Sequence, residues 1–234
     1  MIAQVVYFVL LQMKKNRYFR GNGLPSTPMG IFPIQKGTKA YPWYAIAPGG
    51  MNYKSAADIG VKPFNLEITV PIFPNYNREP QPINSLIIGV SLKGTVWHAE
   101  IAYASQDSRY NPISILPLDK CFGHPYSEQY HLHAYSWKCL TNQCREEYPS
   151  PLLGYALDGY GIFGPYDKDG KMITNERLDE CHGLTSEVMW EGKLTNIYHY
   201  VLNNEYPYSI GAFRGNVDYE IALGNTPRHG PHYG

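Results

Sequence analysis

The sequence lacks an excess of charge of either sign. Lys and Arg together number 20, Asp and Glu also number 20, and charged residues make up only 17% of the chain. Without a net field, attraction to nucleic acid, to an anionic membrane or to a polyacidic partner is not expected. The chain also lacks a run of about 20 apolar residues, the length that a helix needs to span a bilayer. The sequence therefore predicts neither a nucleic-acid partner nor a membrane span.

The common catalytic motifs are missing as well. The sequence contains no Gly-x-Ser-x-Gly nucleophile elbow, no phosphate-binding glycine loop before a helix and no His-Glu-x-x-His zinc motif. No spacing of carboxylates selects the pair that a glycosidase needs. These absences remove the usual hydrolase and nucleotide-binding classes. They leave open whether the protein is an enzyme.

Short strands joined by loops are the structure that the composition favours. The 234 residues are 44% apolar and include 21 Tyr, 22 Gly and 19 Pro, a balance of strand formers and turn formers. We expect an all-β or β-rich fold with short helices, in one compact sandwich-like or barrel-like domain with long loops. Alternation and turn residues predict strands at 5–9, 65–70, 86–92, 95–98 and 217–223, and the best helical candidate is 186–192.

One main domain with short extensions is the predicted organisation. Residues 1–20 are expected to form a first strand and a basic turn, residues 21–224 the domain itself, and residues 225–234 a tail. Residues 2–11 are apolar, but no basic region precedes them and no small-residue cleavage site follows them. We therefore interpret this segment as a strand rather than as an export signal.

Cysteine is scarce, but the count is even: Cys121, Cys139, Cys144 and Cys181. An even number within the part of the chain richest in Tyr and Gly favours two disulfides. The rival interpretation is a structural zinc site, against which stands the lack of any Cys-x-x-Cys pair. Disulfides form in an oxidising compartment, so we expect an extracellular or cell-envelope protein.

The most informative stretch of the chain is Tyr130-His131-Leu132-His133. Alternate side chains of a strand face opposite sides, so His131 and His133 share one face and can hold one metal ion. His124, which follows the turn-forming Gly123, can return to supply a third nitrogen. Three histidines with one open position form a catalytic or copper-type arrangement, and imidazole ligands favour copper or zinc. In the competing interpretation each histidine is a hydrogen-bonded structural residue.

The pattern Leu-Asp-x-Cys-x-Gly followed by Tyr-His occurs twice, at 118–123 with 130–131 and at 178–183 with 198–199. The echo is consistent with a degenerate internal duplication. If the two copies meet across a pseudo-twofold axis, His199 can complete the site of the first copy. Asp119 or Asp158 can hold the distal ring nitrogens. His98 has no second histidine two residues away and is expected to take no part, whereas the tail residues His229 and His232 offer a flexible copper chelate.

Together these motifs resemble the YHYH-domain family. The resemblance extends from about Arg17 to Gly215 and is carried by the double Tyr-His signature and by segments 22–25, 30–33, 89–94, 154–165 and 206–215. It implies a fold family more than a function, because the family consists mostly of secreted or envelope proteins and no activity is attached to it. The chain departs from the family pattern where a histidine is expected, at Thr27, Leu184 and Val201.

A further departure affects the disulfides that the resemblance implies. Ala212 stands where the family has a cysteine, so Cys181 lacks its natural partner and Cys144 is the available substitute. The pairings considered are Cys121–Cys139 with Cys144–Cys181, or Cys121–Cys181 with Cys139–Cys144.

Three functions remain open from the sequence. The first is an exported YHYH-domain protein, a disulfide-braced β-domain with a histidine site for copper or zinc. The second is a structural or interaction protein of the cell surface or of an extracellular assembly, without catalysis, which self-associates or binds a surface. The third is a polysaccharide-acting enzyme or lectin, with a cleft lined by Tyr and Trp around a pair of carboxylates.

Overall fold

Thirteen strands and few helical turns make up the described part of the chain. The computed structural model describes residues 6–39, 41, 58–100, 102–105, 108–111, 113, 116–141 and 147–228, with the backbone alone for 102–105 and 108–110. The strands are β1 (Phe8–Met13), β2 (Asn16–Gly21), β3 (Leu66–Pro71), β4 (Ile87–Ser91), β5 (Val96–His98), β6 (Ala102–Ser105), β7 (Ser108–Tyr110), β8 (Gly123–Tyr126), β9 (Gln129–Leu132), β10 (Leu152–Ala156), β11 (Gly161–Phe163), β12 (Gly183–Trp190) and β13 (Lys193–Val201). The helices are α1 (Trp137–Leu140) and α2 (Tyr219–Leu223), with one 3₁₀ turn at Asn175–Arg177.

A mixed eight-stranded sheet with two matching halves dominates the fold. Its strand order is β12-β13-β11-β10-β4-β5-β9-β8. Each half consists of two hairpins, β4–β5 with β8–β9 and β10–β11 with β12–β13. Within each half the hairpins join through one parallel pair, β5 with β9 or β11 with β13. The halves meet where β4 pairs antiparallel with β10, so the degenerate duplication expected from the sequence echo is visible in the fold.

The two central turns match one another in detail. Gly94 and Gly159 have φ values of +91° and +95°, a conformation that glycine adopts without a steric penalty. Beside these turns the halves exchange reciprocal backbone hydrogen bonds, from Leu92 N–H to the Leu153 carbonyl at 2.9 Å and from Leu157 N–H to the Ile88 carbonyl at 3.0 Å. These reciprocal bonds indicate that the two halves are related by a pseudo-twofold axis that passes between β4 and β10.

A three-stranded sheet, β1-β2-β3, packs against the large sheet. Alternate residues of β3 are buried, and Phe19 on β2 contacts the Tyr155 ring of β10 with 5.6 Å between ring centres. The two sheets share one hydrophobic core, which gives the sandwich-like arrangement. Within the described residues both sheets are open, and β6 and β7 form a separate two-stranded ribbon, so of the two predicted layouts the barrel-like one is not observed.

Two predicted elements are corrected by the structure. Residues 217–223 were expected to form a strand, but Tyr219–Leu223 is helix α2, because the Asp218 carboxylate accepts the N–H groups of Glu220 and Ile221 and caps a helix there. Of the helical candidate at 186–192, residues 186–190 lie in strand β12, which pairs with β13 along its whole length, and residues 191–192 form the turn between the two strands. In that segment sheet pairing overrides local propensity. The predicted first strand begins at Phe8, and residues 1–5 lie outside the described part.

The cysteines agree only in part with the predicted pairings. Cys121 and Cys139 form a disulfide, which confirms one pair of the first alternative. Cys181 is a buried free thiol, so both pairings that involve it are wrong. Cys121 finds its partner on α1, downstream of its own hairpin, whereas no cysteine follows Cys181 in the sequence. Cys144 lies outside the described residues. No helix in the described part of the chain is both long and apolar enough to cross a membrane.

Candidate metal centre

The repeated Leu-Asp-x-Cys-x-Gly motif builds a turn that starts each outer hairpin. The Asp119 carboxylate accepts the N–H groups of Cys121 at 2.8 Å and Gly123 at 3.1 Å, and it accepts the hydroxyl of Tyr130 at 2.8 Å. A side chain at Gly123 would collide with that hydroxyl. Phe122 has a φ of +58°, which reverses the chain into β8. Asp119 is thus occupied by the turn and holds no histidine, contrary to the prediction.

The second copy repeats this turn. Asp179 accepts the N–H groups of Cys181 at 2.9 Å and Gly183 at 3.0 Å, and the hydroxyl of Tyr198 at 3.0 Å. A side chain at Gly183 would collide with Tyr198 in the same way. The Asp, Gly and Tyr of the signature are therefore structural residues. The copies differ at the positions of His124 and His133, where the second copy has Leu184 and Val201.

The first copy brings three histidines together. His124 on β8 lies directly opposite His131 on β9, and His133 follows two residues later. The Nε2 atoms of His131 and His133 are 3.0 Å apart, and one nitrogen from each of the three rings lies within 4.8 Å of the others. All three side chains are buried, with 4, 1 and 3% of their surface exposed. The group that the strand alternation and the returning turn predicted is present.

The last residue of β5 and the segment just after it add two residues that the sequence analysis did not assign to the site. The His98 ring stacks on the His131 ring with 3.6 Å between centres, so His98 lies beside the group, and the expectation that metal binding does not depend on it stays a prediction. The Glu100 carboxylate lies 3.0 Å from Nδ1 of His133 and is itself buried. A signal was available in the sequence, because His98 and Glu100 are only two residues apart. The parallel pairing of β5 with β9 could not be read from local spacing.

Hydrogen bonding determines which nitrogen of each histidine ring carries the proton. Nδ1 of His131 lies 3.3 Å from the carbonyl oxygen of Gln129, which can only accept, so this nitrogen carries the proton. Nε2 of a neutral His131 then accepts from Nε2–H of His133. Nδ1 of His133 in turn faces Glu100. The lone pair of His131 Nε2 therefore points into the centre of the histidine group.

Burial keeps these groups uncharged. It lowers the pKa of His133 to about 3 and raises the pKa of Glu100 well above its ordinary value. Burial, together with the charges of neighbouring histidines, also holds the pKa values of His124 and His131 well below the usual imidazole range. Neutral imidazoles are the form that binds metals. No ring therefore has to lose a positive charge before it binds an ion at neutral pH.

Two buried polar atoms of the site have no hydrogen-bond partner among the described residues. They are Nδ1 of His124 and Oε2 of Glu100. Buried polar atoms are almost always satisfied in native proteins, and an unsatisfied one calls for an explanation such as an ion. A positive ion among the three imidazoles fits this donor set, because it would interact with ring lone pairs and lie close to a carboxylate. The three-histidine group can thus hold a metal ion.

The remaining predicted histidine lies elsewhere. His199 is on β13, and four strands separate it from β9, a distance of roughly 24 Å at the usual strand spacing. Its Nδ1 is 3.0 Å from the carbonyl oxygen of Ile197, and its ring packs 5.0 Å from that of Phe163. The two copies do not meet at a shared site, so His199 cannot complete the first one. The tail residues His229 and His232 lie outside the described part of the chain.

The second copy keeps one histidine, His199 at the position of His131, and has apolar residues where the first copy has its other histidines. By strand register Leu184 corresponds to His124, Val201 to His133 and Phe163 to His98. Asp158, the other predicted acceptor, belongs to this half. It accepts the Tyr200 hydroxyl at 2.5 Å and the Gly215 N–H at 2.9 Å, and burial raises its pKa to about 6. It contacts no histidine of the site; Glu100 has the role that was predicted for Asp158.

Comparison with known proteins identifies the part of the chain that carries this group. The model of the family described as YHYH protein matches residues 67–174, which include His98, Glu100 and the three clustered histidines but not His199. No curated protein and no solved structure matches the chain. Residues 67–174 of this chain are therefore similar to the YHYH protein family.

Proposed function

We propose that this protein binds one transition-metal ion, copper or zinc, through His124, His131 and His133. The observation that carries the proposal is the convergence of three buried ring nitrogens within 4.8 Å of one another. Imidazole nitrogen suits both copper and zinc. No thiolate competes within the described part of the site, since Cys121 and Cys139 are joined to each other and Cys181 lies in the other half.

The contacts around the histidines support the same proposal. A metal-binding histidine usually donates its other ring N–H to a carboxylate or a backbone carbonyl, which fixes the tautomer and the ring orientation. His131 has the Gln129 carbonyl oxygen at 3.3 Å on Nδ1, and His133 has the Glu100 carboxylate at 3.0 Å. Nε2 of His131 is thus left for the ion, and His133 offers its own Nε2 once its ring proton is on Nδ1, where it faces Glu100. His98, stacked on His131, restricts rotation of that ring.

The disulfide supports a proposal about the compartment. The Cys121–Cys139 bond supports an oxidising environment, and we propose an extracellular or cell-envelope location. There the protein would hold or carry its ion away from the thiol-based metal buffers of the cytosol.

The test is a titration of purified protein with Zn²⁺ or Cu²⁺ in competition with a chelator, after elemental analysis of the protein as isolated. The matched variants are His131→Ala and His199→Ala, because both histidines are buried at the same position of equivalent hairpins. Wild type and His199→Ala should bind one ion with a Kd below micromolar, and His131→Ala should bind at least 100-fold more weakly. A wild type that binds nothing better than micromolar would end the proposal.

A second candidate function, a structural or interaction protein, is favoured by strand β1. This strand is at the edge of the three-stranded sheet, five of its six residues are exposed, and none is charged. Leu10, Leu11 and Met13 are 41, 48 and 56% exposed. Uncharged apolar edge strands pair readily with other chains. Light scattering would show concentration-dependent association that is lost in Leu10→Lys, whereas a wild type that stays monomeric at high concentration would remove the support for this role.

A further inference from the structure

The disulfide encloses the whole histidine group. Cys121 and Cys139 are 18 residues apart in the sequence, and all three candidate ligands lie between them. Cys121 is part of the turn that leads into β8 and His124. Cys139 lies on the buried side of α1, which follows His133 after a short connection. The bond therefore ties the segment before the first ligand to the segment after the last.

The second copy shows what the hairpin does without this bond. Its turn has the same hydrogen bonds to Asp179, and the Val201 N–H reaches the carbonyl of His182 at 3.1 Å, where the first copy has the His133 N–H and the carbonyl of Phe122 at 2.9 Å. Its cysteine, Cys181, is free. The same turn and hairpin thus form with no cross-link, and that copy also lacks two of the three ligands.

The position of His133 explains what the bond adds in the first copy. β9 ends at Leu132, so His133 lies just outside the strand. Its ring must nevertheless stay 3.0 Å from Glu100 and 3.0 Å from His131. Linking α1 back to Cys121 limits the paths that the chain can take after His133, and it does so before any ion arrives. A cross-link acts by removing such alternative conformations.

We propose that the Cys121–Cys139 disulfide is a positioning element of the metal site rather than a requirement of the fold. The proposal rests on the metal-binding function proposed above. In it the disulfide holds His133 in place relative to His124 and His131, so that the three nitrogens converge in the metal-free protein. Removing the bond leaves the sheet intact and weakens metal binding.

The experiment compares wild type with the double variant Cys121→Ala/Cys139→Ala, which leaves no new thiol to bind metal. Cys181→Ala is the control, since it removes a buried cysteine of the equivalent turn without touching a disulfide. Zn²⁺ affinity is measured by chelator competition, and the absorption spectrum of the Co²⁺ form reports the number and symmetry of the ligands. Near- and far-ultraviolet circular dichroism reports the fold.

The double variant should keep the wild-type circular dichroism but bind Zn²⁺ about tenfold more weakly, within the range that loss of supporting contacts costs a metal site. Its Co²⁺ spectrum should change, whereas Cys181→Ala should match wild type in every measurement. Equal affinity in the double variant and wild type would overturn the inference and leave the proposed function standing. An unfolded double variant would also overturn it, because the bond would then serve the fold. No binding by wild type would mean that the proposed function itself had failed.

Discussion

Nε2 of His131 lies 3.0 Å from Nε2 of His133, with the two ring planes at 71° to each other. Two nitrogens bound to one tetrahedral zinc ion at ~2.05 Å would be ~3.3 Å apart. The observed spacing therefore differs from the spacing of a bound pair by a few tenths of an ångström.

Replacing Glu100 by Gln should weaken Zn²⁺ binding about 10- to 100-fold, because outer contacts of this kind tune ligand basicity and orientation. The Glu100 carboxyl, 3.0 Å from Nδ1 of His133, can give up its proton beside a bound cation and accept from that ring, whereas a Gln amide stays neutral. The measurement is a chelator competition at fixed pH and ionic strength. Unchanged affinity in a folded Glu100→Gln variant would show that the carboxylate is only a bystander.

Asp158→Ala should lower the stability of the protein without weakening Zn²⁺ binding. The change removes the acceptor of the Tyr200 hydroxyl and of the Gly215 N–H, and leaving such buried donors unpaired costs about 3 kcal/mol in the free energy of unfolding. Zn²⁺ affinity should be that of wild type, since Asp158 contacts no ligand. Chemical denaturation and the same competition assay test both parts, and a loss of affinity without a loss of stability would contradict the assignment.

Metal binding should be nearly independent of pH between 7.5 and 5.5. Burial lowers the pKa of His133 to about 3 and holds those of His124 and His131 well below the usual range. The three rings therefore stay neutral as the pH falls through ~6.5, where exposed histidines begin to compete for protons. Zn²⁺ competition at the two pH values measures this, and a steep fall in affinity would point to exposed histidines as the ligands.

His199 should make the metal-free protein less stable in acid. Burial lowers its pKa from 6.5 to about 4, so the unfolded chain takes up the proton first. The folded state is then favoured most above pH 6.5 and loses up to roughly 3 kcal/mol from this group as the pH falls to 4. Urea unfolding of wild type and His199→Leu should be measured across this pH range. The free energy of unfolding should fall less steeply with decreasing pH in the variant. Parallel curves would indicate that His199 is not the responsible group.

The degenerate half should accept a second metal site. Leu184→His and Val201→His restore, beside His199, the positions held by His124, His131 and His133 in the first half. Because the turn and the hairpin of the two halves match, the folded double variant should bind two zinc ions where wild type binds one. Metal analysis after dialysis gives the stoichiometry. A folded variant that still binds one ion would show that the copies differ in more than their ligands.

The sequence predicted the part of the site that depends on local geometry. Alternation along a strand was enough to place His131 and His133 together, and the turn at Gly123 was enough to return His124. Glu100 and His98 were missed because they reach the site through the parallel pairing of β5 with β9, across 33 residues in the case of Glu100 and His133. Sheet order is a property of the whole fold and leaves no local pattern.

Two further errors have the same origin. Asp119 and Asp158 were assigned to histidines on residue type, but their oxygens are used by turn N–H groups and by tyrosine hydroxyls. Residues 217–223 alternate as a strand would, yet the Asp218 cap starts a helix and leaves Ile221 59% exposed. In each case a tertiary or capping contact decided between structures that composition and periodicity left equally open.

X-ray absorption spectroscopy of the zinc- or copper-loaded protein tests the central claim most directly, because the outer-shell scattering of imidazole counts the histidine ligands of the bound ion. The proposed site predicts one ion per chain with three imidazole nitrogens, and the loss of the imidazole pattern in His131→Ala but not in His199→Ala. A bound ion with sulfur or carboxylate ligands in place of three imidazoles, or a spectrum unchanged by His131→Ala, would contradict the account.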